Sequence, residues 1–277
     1  MTTNNPDEEE RTFVIAGVNG DIGQEFAKRL VDHGRLYGIS RNPNKSSLNY
    51  AHICVDLLKS ENATSAFNKI NPTENLVYVH LLGKFKFEDK NHPITDKNSD
   101  GIDDDIFETN VTTFRNVAPI LIDYLKKRPR AKLKLVAIGS TSDLYKIPFW
   151  QSFTHAKNEL RKEFRWLYGP PENFGRVSTL FIDVSTVAGT QLAGERPFIS
   201  KDFCLTPKDI VEQALPYLLD DRQSCLEMSV IKPNPAFFDA NYLVNHKTKA
   251  RWYQDMYGDS QKRRLKGSNE QDEQRTI

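Results

Sequence analysis

Short apolar segments alternate with segments of helical spacing along most of the chain. The first apolar segment, 13–16, is followed by a glycine-containing turn, after which Ile22, Phe26 and Leu30 recur at intervals of four. Predicted strands lie at 13–16, 35–40, 51–55, 76–83, 132–138, 177–184 and 225–231. Predicted helices lie between them at 22–31, 63–70, 105–127, 152–167 and 206–219. Because strands that alternate with helices form parallel sheets covered on both faces, we predict a doubly wound α/β fold in a single domain.

The turn after the first predicted strand has glycines at the spacing G-x-x-G-x-x-G. Gly17 permits the chain to reverse, Gly20 leaves room for a phosphate against the backbone, and Gly23 lets the helix pack closely on the strand. The N-terminus of that helix directs unpaired N–H groups at an anion. We predict that the pyrophosphate of a dinucleotide binds at Gly17, Asn19, Gly20, Asp21, Ile22 and Gly23. An ordinary glycine-rich turn is the alternative, since Val18 stands where the common fingerprint has its second glycine.

The second predicted strand ends in Ser40 and Arg41, at the place where an acidic residue would bind the ribose hydroxyls of NAD. A hydroxyl and a guanidinium suit a 2′-phosphate, and we therefore predict NADP(H) as the cofactor. A solvated loop charge is the alternative interpretation of Arg41. Open α/β sheets bind ligands at the carboxyl ends of their strands, and this rule adds Leu82 and Gly83, at the end of the fourth strand, to the predicted cofactor contacts.

Residues 84–105 form a long polar segment, which in a compact domain serves as a lid, a substrate loop or a disordered insert. Within it, 96–101 matches the beginning of a calcium loop, but Phe107 occupies the position where a bidentate glutamate is needed. We therefore predict a solvated acidic turn and no metal site. The pattern at 105–127 is the longest helical one, and Asn110 interrupts it as either an exposed residue or one that faces the sheet edge.

Composition is that of an ordinary globular protein, with 38% hydrophobic and 27% charged residues. The 38 basic and 37 acidic residues nearly cancel, which argues against general nucleic-acid binding. Three well-separated cysteines without metal-ligand spacing are typical of a reducing compartment. We expect that the polar first ten residues are not a signal peptide, and no apolar run is long enough to span a bilayer. We expect a cytoplasmic protein that binds neither nucleic acid nor membranes.

Three regions are predicted along the chain: a disordered tail at 1–10, a nucleotide-binding domain at 11–231 with the polar insert 84–105, and a charged, partly disordered extension at 232–277. The extension contains Trp252 and other aromatic residues, which dock either on the domain or on a partner subunit. The sequence favours neither arrangement.

The residues at the predicted strand ends resemble the short-chain dehydrogenase/reductases, a Rossmann-type family, over most of the predicted domain. The glycine turn resembles that family's phosphate-binding turn, and Asp56 with Leu57 is similar to its adenine-binding pair. Asn110 resembles its structural and catalytic asparagine, Ser140 its catalytic serine, and Lys157 the lysine of its Tyr-x-x-x-Lys pair. The resemblance implies hydride transfer between NADP(H) and a small carbonyl or alcohol substrate. It also implies a homo-oligomer, a dimer or tetramer, paired through the two long helices.

One departure from the family concerns the proton donor, because Phe153 stands where the catalytic tyrosine is expected. A phenyl ring transfers no proton, and a positioned general acid is worth about 10²- to 10⁴-fold in rate. Tyr145 is the candidate replacement, and the alternative is an aromatic side chain that packs its loop on the sheet. His155 lies two positions after Phe153, about 200° around the helix, and is expected to point away.

Two further departures lie at strand ends. His80 replaces the first asparagine of the family's Asn-Asn-Ala-Gly, either as an acid near the site or as a buried, hydrogen-bonded core residue. The family's Pro-Gly turn beside the nicotinamide is missing after the sixth strand, where Val184 and Thr186 are the predicted contacts.

Three functions follow from these matches and departures. The favoured one is an NADP(H)-dependent oxidoreductase in which Ser140 and Tyr145 replace the usual pair. The others are a catalytically degenerate NADP(H)-binding protein, acting as a sensor or complex partner, and a non-redox lyase or isomerase. Phe149, Trp150 and Phe153 suggest an apolar or aromatic substrate pocket.

Overall fold

Seven parallel strands form the centre of the protein in a computed structural model that describes residues 10–44, 46–89, 91–144, 149–170, 175–189, 194–232 and 246–258. The strands are β1 Arg11–Ala16, β2 Arg35–Ser40, β3 Ala51–Cys54, β4 Asn75–His80, β5 Lys132–Ile138, β6 Val177–Val184 and β7 Cys225–Val230. They lie in the order β3-β2-β1-β4-β5-β6-β7, and every neighbouring pair is parallel. The strand order reverses between β1 and β4, so that these two strands lie side by side. The predicted doubly wound sheet is confirmed.

Helices cover both faces of this sheet. They are α1 Asp21–Leu30, α2 Ser60–Phe67, α3 Asp104–Phe107, α4 Thr113–Lys127, α5 Gln151–Tyr168, α6 Pro207–Leu219 and α7 His246–Tyr257. Apolar residues of α2, α4 and α5 share one core layer with the sheet, and those of α1 and α6 share the other. Neighbouring strand residues enter opposite layers, as Val14 and Ile15 do, because successive side chains of a strand point to opposite faces. A strand buried on both faces therefore reads as the continuous apolar run seen in the sequence.

The predicted start of one helix, α6, follows from capping chemistry that the structure retains. The side chain of Thr206 accepts the amide proton of Asp209 at 3.2 Å, and Asp209 accepts that of Thr206 in return at 2.7 Å. This reciprocal capping box, with Pro207 in the first turn, begins α6 as the sequence predicts. At the other end, α6 stops at Leu219, also as predicted.

The predicted continuous helix at 105–127 is corrected in the structure. The segment begins as α3, changes to a π-helical turn over Glu108–Thr112, and continues as α4. The longest uninterrupted α-helix is α5 instead, with 18 residues. A π-helical turn contains one extra residue per turn and changes the direction of its side chains, and Asn110 lies within this one. Periodicity alone does not reveal such a turn, because the flanking apolar residues keep helical spacing.

The segment after β4 is held by its own acidic side chains. Asp103 is fully buried, and its carboxylate accepts hydrogen bonds from Nζ of Lys86 and the amide of Thr95. The carboxylate of Asp96 accepts the amide protons of Asp100 and Gly101, which is the acidic turn that the sequence predicts. No group of three or more potential metal-ligating side chains occurs among the described residues.

Part of the predicted C-terminal extension docks on the domain as α7. Trp252 and Met256 of α7 are 5% and 7% exposed, and they pack against Phe87 and Phe149. The predicted tail 1–10, except for its last residue, and residues 233–245 and 259–277 of the predicted extension lie outside the described residues. None of the described helices is both long enough and apolar enough to cross a membrane.

Candidate functional site

The glycine turn joins the carboxyl ends of β1, β2 and β4. The amide of Gly17 donates to the carbonyl of Ile39 at 2.8 Å, and the amide of Leu81 donates to the carbonyl of Ala16 at 2.9 Å. Gly17 has φ +91°, and a Cβ there would lie 3.0 Å from the carbonyl carbon of Leu81. The turn therefore needs glycine at this position both for its backbone angle and for its close approach to the β4 exit.

The other two glycines differ in what surrounds them. A Cβ on Gly23 would lie 2.3 Å from the carbonyl oxygen of Gly17, so close packing alone excludes a side chain. A Cβ on Gly20 would meet only that same oxygen, at an ordinary 3.4 Å. Protein packing thus leaves space above Gly20, next to Asp21, the first residue of α1. Space over backbone amides at a helix N-terminus is what a pyrophosphate requires.

Asn19 connects the glycine turn to the loop after β2. Its Nδ2 donates to the carbonyl oxygens of Asn42 and Pro43 at 3.0 and 2.8 Å. Its Oδ1 is buried and has no hydrogen-bond partner among the described residues. A buried acceptor without a donor is costly, and a ligand hydroxyl or amide would satisfy it.

The two residues predicted to bind a 2′-phosphate, Ser40 and Arg41, differ in exposure. Ser40 is buried, and its hydroxyl donates to the carbonyl of Asn42 at 2.7 Å and lies 2.8 Å from Nε2 of His52. Burial lowers the pKa of His52, which therefore offers the hydroxyl a neutral ring. Arg41 is exposed, as a residue that meets a phosphate from solvent must be. The hydroxyl of Ser40 thus shapes the loop, and Arg41 is the group that remains accessible.

The two residues predicted to contact adenine, Asp56 and Leu57, also differ in exposure. Leu57 is 2% exposed and belongs to the apolar layer under α2 and α4. Asp56 is half-buried, and its Oδ1 accepts the amide proton of Leu58 at 3.1 Å. Of the two, only Asp56 has side-chain surface at the exit of β3.

Asn110, Lys157 and Gly83 meet at the exit of β4. The Nδ2 of Asn110 donates to the carbonyls of Lys84 and Ile106, and its buried Oδ1 has no partner among the described residues. A Cβ on Gly83 would lie 3.0 Å from this Oδ1 and 3.4 Å from Nζ of Lys157. Three predicted residues from different parts of the sequence therefore surround one point. Leu82, the neighbour of Gly83, packs against the core layer instead.

Lys157 is a buried cation on α5, one helical turn after Phe153. Its Nζ donates to the carbonyl of Ile138 at 2.9 Å and lies 5.4 Å from the centroid of the Phe153 ring. The lysine and the phenyl ring thus share a face of the helix, as predicted, and no hydroxyl stands at this position. His155 is exposed and stacks on Phe107, which agrees with the prediction that it points away.

Ser140 lies just after β5. Its Oγ is 2.9 Å from Oγ of Ser142 and accepts the backbone amide proton of Ser142. Ser140 is half-buried, and Ser142 is 7% exposed. Tyr145, the predicted replacement donor, lies outside the described residues.

His80 is a core residue in the structure. It is 1% exposed, its Nδ1 lies 3.2 Å from the hydroxyl of Tyr78, and its Nε2 lies 3.5 Å from that of Thr113. Burial, with the nearby charge of Lys157, lowers the pKa of His80 to about 3. The ring is neutral at physiological pH, which fits the core interpretation and not that of a proton-donating acid.

The segment after β6 carries the residues predicted to face the nicotinamide. Val184 is buried in the core layer, and the carbonyl of Thr186 accepts the amide proton of Leu205 at 2.8 Å. The hydroxyl of Thr186 lies 3.5 Å from Nη1 of Arg196, whose Nη2 is paired with the carboxylate of Asp255 on α7. Sequence reasoning missed this ion pair, since nothing local in the sequence links residues that lie 59 positions apart.

The aromatic cluster, which we define as Phe85, Phe87, Phe149, Trp150, Trp252 and Tyr253, joins α7 to the start of α5 and the segment after β4. Ring centroids of Phe87 and Phe149 are 5.1 Å apart, and those of Trp150 and Trp252 are 5.0 Å apart. Phe153 meets the cluster through Phe85, edge to face at 5.2 Å. Of the three residues predicted to line an aromatic pocket, Phe149 and Trp150 are therefore buried in this cluster against α7, and Phe153 is half-buried at its edge.

No protein-family model matches the sequence, and no curated protein sequence matches it either. Solved structures do match. An alcohol dehydrogenase from the archaeon Thermococcus sibiricus, complexed with 5-hydroxy-NADP, is 18% identical over 82% of this chain and 99% of its own, with a TM-score of 0.64. The ligand-free aldohexose dehydrogenase of Thermoplasma acidophilum is 13% identical over 80% and 93%, with a TM-score of 0.64. A 3-ketoacyl-(acyl-carrier-protein) reductase from Brucella melitensis, complexed with NADH, is 15% identical over 81% and 98%, with a TM-score of 0.63.

At such identities the likeness is one of fold. The chain has the fold of the short-chain dehydrogenase/reductases, a single Rossmann-like α/β domain. Ligands of open α/β sheets bind where the strand order reverses, which in this chain is between β1 and β4. The glycine turn and the group formed by Gly83, Asn110 and Lys157 lie at those two strand exits.

Proposed function

We propose that this chain is an NADP(H)-dependent oxidoreductase of the short-chain dehydrogenase/reductase type, which acts on a small carbonyl or alcohol substrate with a non-standard proton donor. The observation that carries the proposal is the meeting of Gly83, the unpartnered Oδ1 of Asn110 and the Nζ of Lys157 at the β4 exit. A scaffold protein has no need of a buried lysine beside an orphaned acceptor, since both cost folding free energy. Polar groups that converge at a strand exit are typical of a binding site.

The residues at the β1 and β2 exits fit a dinucleotide. The open space above Gly20 and the N-terminus of α1 would receive the pyrophosphate, and the unpartnered Oδ1 of Asn19 would accept a ligand donor. Arg41 would pair with a 2′-phosphate, and Lys157 would hold the ribose next to the reacting ring. When bound, the cofactor supplies or accepts the hydride.

Proton transfer is assigned to the loop after β5. Phe153 has no exchangeable proton, whereas Ser140 has a hydroxyl within 2.9 Å of that of Ser142. In our proposal Ser140 binds the substrate oxygen and Tyr145 supplies the proton. Tyr145→Phe is then expected to lower kcat by about 10²- to 10⁴-fold with little change in the affinity for NADPH.

Binding of the four nicotinamide nucleotides, measured by calorimetry, tests the cofactor assignment. We expect micromolar affinity for NADPH and NADP⁺ and weaker affinity for NADH and NAD⁺. Arg41→Ala should abolish this difference, because it removes the accessible guanidinium at the β2 exit. Arg130→Ala is the matched control, since Arg130 is an exposed arginine just before β5, at the opposite edge of the sheet. Absence of binding by all four nucleotides would contradict the proposal.

A catalytically degenerate NADP(H)-binding protein is the second candidate, and the phenyl ring of Phe153 beside Lys157 is the observation that favours it. The two candidates agree on cofactor binding and differ in turnover. Protein-dependent oxidation of NADPH by any carbonyl compound would exclude the degenerate protein.

A homo-oligomer paired through α4 and α5 is part of the proposal. Trp166 on α5 is 61% exposed, and it lines a groove of about 370 Å³ together with Pro119 and Ile122 of α4. Trp166→Glu is expected to give a monomer in light scattering, whereas Tyr217→Glu, on the exposed surface of α6, should leave the mass unchanged. A wild-type monomer would contradict the pairing.

A cytoplasmic location also belongs to the proposal. Its support is that the three cysteines, Cys54, Cys204 and Cys225, are all free thiols. Free cysteines without a disulfide are typical of reducing compartments.

A further inference from the structure

A hydrocarbon ring and a buried cation stand together at the centre of the proposed active site. Phe153 is half-buried, and the Nζ of Lys157 lies 5.4 Å from its ring centroid. Lys157 itself is 5% exposed and donates to the carbonyl of Ile138. The site therefore holds a positive charge that can attract a developing anion, next to a side chain that can protonate nothing.

Two acidic residues, Glu88 and Asp103, form hydrogen bonds with Ser152 at the beginning of α5. Oε1 of Glu88 accepts the amide proton of Ser152 at 3.0 Å, and burial raises the pKa of Glu88. The backbone amide of Asp103 donates to Oγ of Ser152. The carboxylate of Asp103 pairs with Lys86 at 2.9 Å. Both carboxylates are therefore engaged in structural contacts, that of Glu88 with the N-terminus of α5 and that of Asp103 with Lys86.

The surface beside Phe153 is aromatic. The rings of Phe85 and Phe153 stand at 86° to each other with centroids 5.2 Å apart, and both are half-buried, so that each retains some exposed surface. The ring of Trp150 packs against that of Phe85, with centroids 5.6 Å apart. Trp252 of α7 in turn packs against Trp150. The exposed parts of two perpendicular rings would offer one face and one edge to a flat ring.

We propose that the substrate is a planar conjugated dicarbonyl compound of the quinone class, bound in the corner between Phe85 and Phe153 and reduced at the expense of NADPH. The proposal rests on the proposed oxidoreductase function and names its substrate class. It follows from two independent features, the absence of an acid at position 153 and the aromatic corner next to it.

The absence of an acid decides between substrate classes through the basicity of the product. Hydride addition to an isolated ketone leaves an alkoxide, whose conjugate acid is about as weak an acid as water. Hydride addition to a quinone leaves a phenolate, whose conjugate acid has a pKa of about 10. An alkoxide needs a proton donor in contact as it forms, whereas a phenolate persists until a proton arrives from a donor other than residue 153, which is Tyr145 in the proposed function. Position 153 can therefore be a phenylalanine when the product is a phenolate.

The reaction balances with NADPH as the reductant. The reduced nicotinamide supplies one hydride, which is two electrons and one proton. One carbonyl oxygen of the quinone forms a bond to this hydrogen, the π electrons shift through the ring to the second oxygen, and the ring becomes aromatic. Lys157 attracts the resulting phenolate, which then takes one proton from Tyr145, the donor in the proposed function. Quinone, NADPH and one proton thus give hydroquinone and NADP⁺.

Binding can be measured without cofactor, through tryptophan fluorescence. The probe is 2,3-dimethoxy-1,4-naphthoquinone, whose substituted ring carbons resist addition of protein thiols. Of the three tryptophans, Trp150 and Trp252 lie in the aromatic cluster, whereas Trp166 lies on the exposed side of α5. The matched control Trp166→Phe removes the distant reporter and is expected to keep saturable quenching at the wild-type midpoint.

Loss of the corner should weaken this binding. Phe85→Ala is expected to raise the quenching midpoint about tenfold, and Phe85→Leu, which keeps an apolar side chain for folding, should also raise it. Absence of saturable quenching in wild type, or an unchanged midpoint in Phe85→Leu, would overturn the proposal.

Steady-state rates provide the second test. Wild type is expected to oxidise NADPH with the naphthoquinone and far more slowly with cyclohexanone. Phe153→Tyr, which restores a proton donor, is expected to raise the cyclohexanone-to-quinone ratio of kcat/KM about 10²-fold or more. An unchanged ratio would overturn the basicity argument.

Different experimental results would contradict this inference and the proposed function. Calorimetric binding of NADPH without binding of the quinone overturns the substrate class and leaves the oxidoreductase standing. Quinone binding without NADPH binding supports the aromatic corner and contradicts the oxidoreductase.

Discussion

The proposed cofactor side and the proposed substrate side of the sheet's carboxyl edge are built in different ways. On the cofactor side, at the exits of β1 to β3, backbone geometry makes the site: Gly17 meets the β4 exit, Gly23 packs on Gly17, and Asn19 bonds the loop 23 residues later. Few side chains are needed, and those that matter lie near one another in the sequence.

The substrate side is assembled from segments that are distant in the sequence. The amide of Phe87 donates to Glu195 at 3.3 Å, and the carboxylate of Asp89 accepts the hydroxyl of Tyr257 at 2.5 Å. The ion pair of Arg196 and Asp255 fixes α7 to the segment after β6. Substitutions on this side are therefore expected to act through docking of α7, whereas those on the cofactor side act through backbone packing.

The largest effect is expected from Asp255→Ala on the substrate side. The side chains of Arg196 and Asp255 are 8% and 3% exposed, and loss of one partner leaves a buried charge unpaired. We expect a loss of about 3–5 kcal/mol in the free energy of unfolding, measured by urea denaturation. The double substitution of Arg196→Met with Asp255→Leu should recover most of that loss.

The matched control for this prediction is Asp123→Ala, which removes the partner of Lys127 from an exposed pair on α4. Exposed pairs contribute little, so this variant should unfold like wild type. A similarly small effect of Asp255→Ala would mean that α7 does not depend on the ion pair.

On the cofactor side, substitutions at two glycines distinguish an effect on packing from an effect on ligand binding. Gly23→Ala places a methyl group 2.3 Å from a carbonyl oxygen and is expected to cost about 1–3 kcal/mol of stability. Gly20→Ala meets no close contact and should fold like wild type while it weakens NADPH binding at least tenfold. Gly194→Ala, with open space around its Cβ, is the control for both. Equal NADPH affinity in wild type and Gly20→Ala would show that no phosphate lies against Gly20.

A smaller effect, of about 2 kcal/mol in the free energy of unfolding, is expected from protonation of His80, which lies between the two sides. Its pKa is about 3 in the folded protein and about 6.5 when unfolded, so the unfolded state binds the proton first as the pH falls. The contribution to stability is complete above pH 6.5 and is lost toward pH 3. Between pH 7 and 5, wild type should lose about 2 kcal/mol more than His80→Asn. Parallel pH profiles for the two proteins would contradict the buried, neutral histidine.

The sequence predicts the cofactor side better than the substrate side for a physical reason. Strand periodicity, the glycine turn and the capping box of α6 are local, and the structure has strands and helices at each predicted place. Asn110 and Lys157 were identified by resemblance, and the π-helical turn that aims Asn110 left no periodic signal. Contacts of α7 depend on tertiary packing over more than 50 residues, as for Arg196 and Asp255, and no local pattern encodes them.

The central claim is that this site transfers hydride, and the most direct test is oxidation of NADPH in wild type and Lys157→Met with a panel of isolated and conjugated carbonyl compounds. The control is Lys162→Met, an exposed lysine on the same helix, 68% exposed in its side chain. We predict protein-dependent oxidation that persists in Lys162→Met and falls at least 10²-fold in Lys157→Met, because the buried ammonium next to Asn110 is lost. Oxidation at the same rate in Lys157→Met, or none with any compound in wild type, would contradict the account.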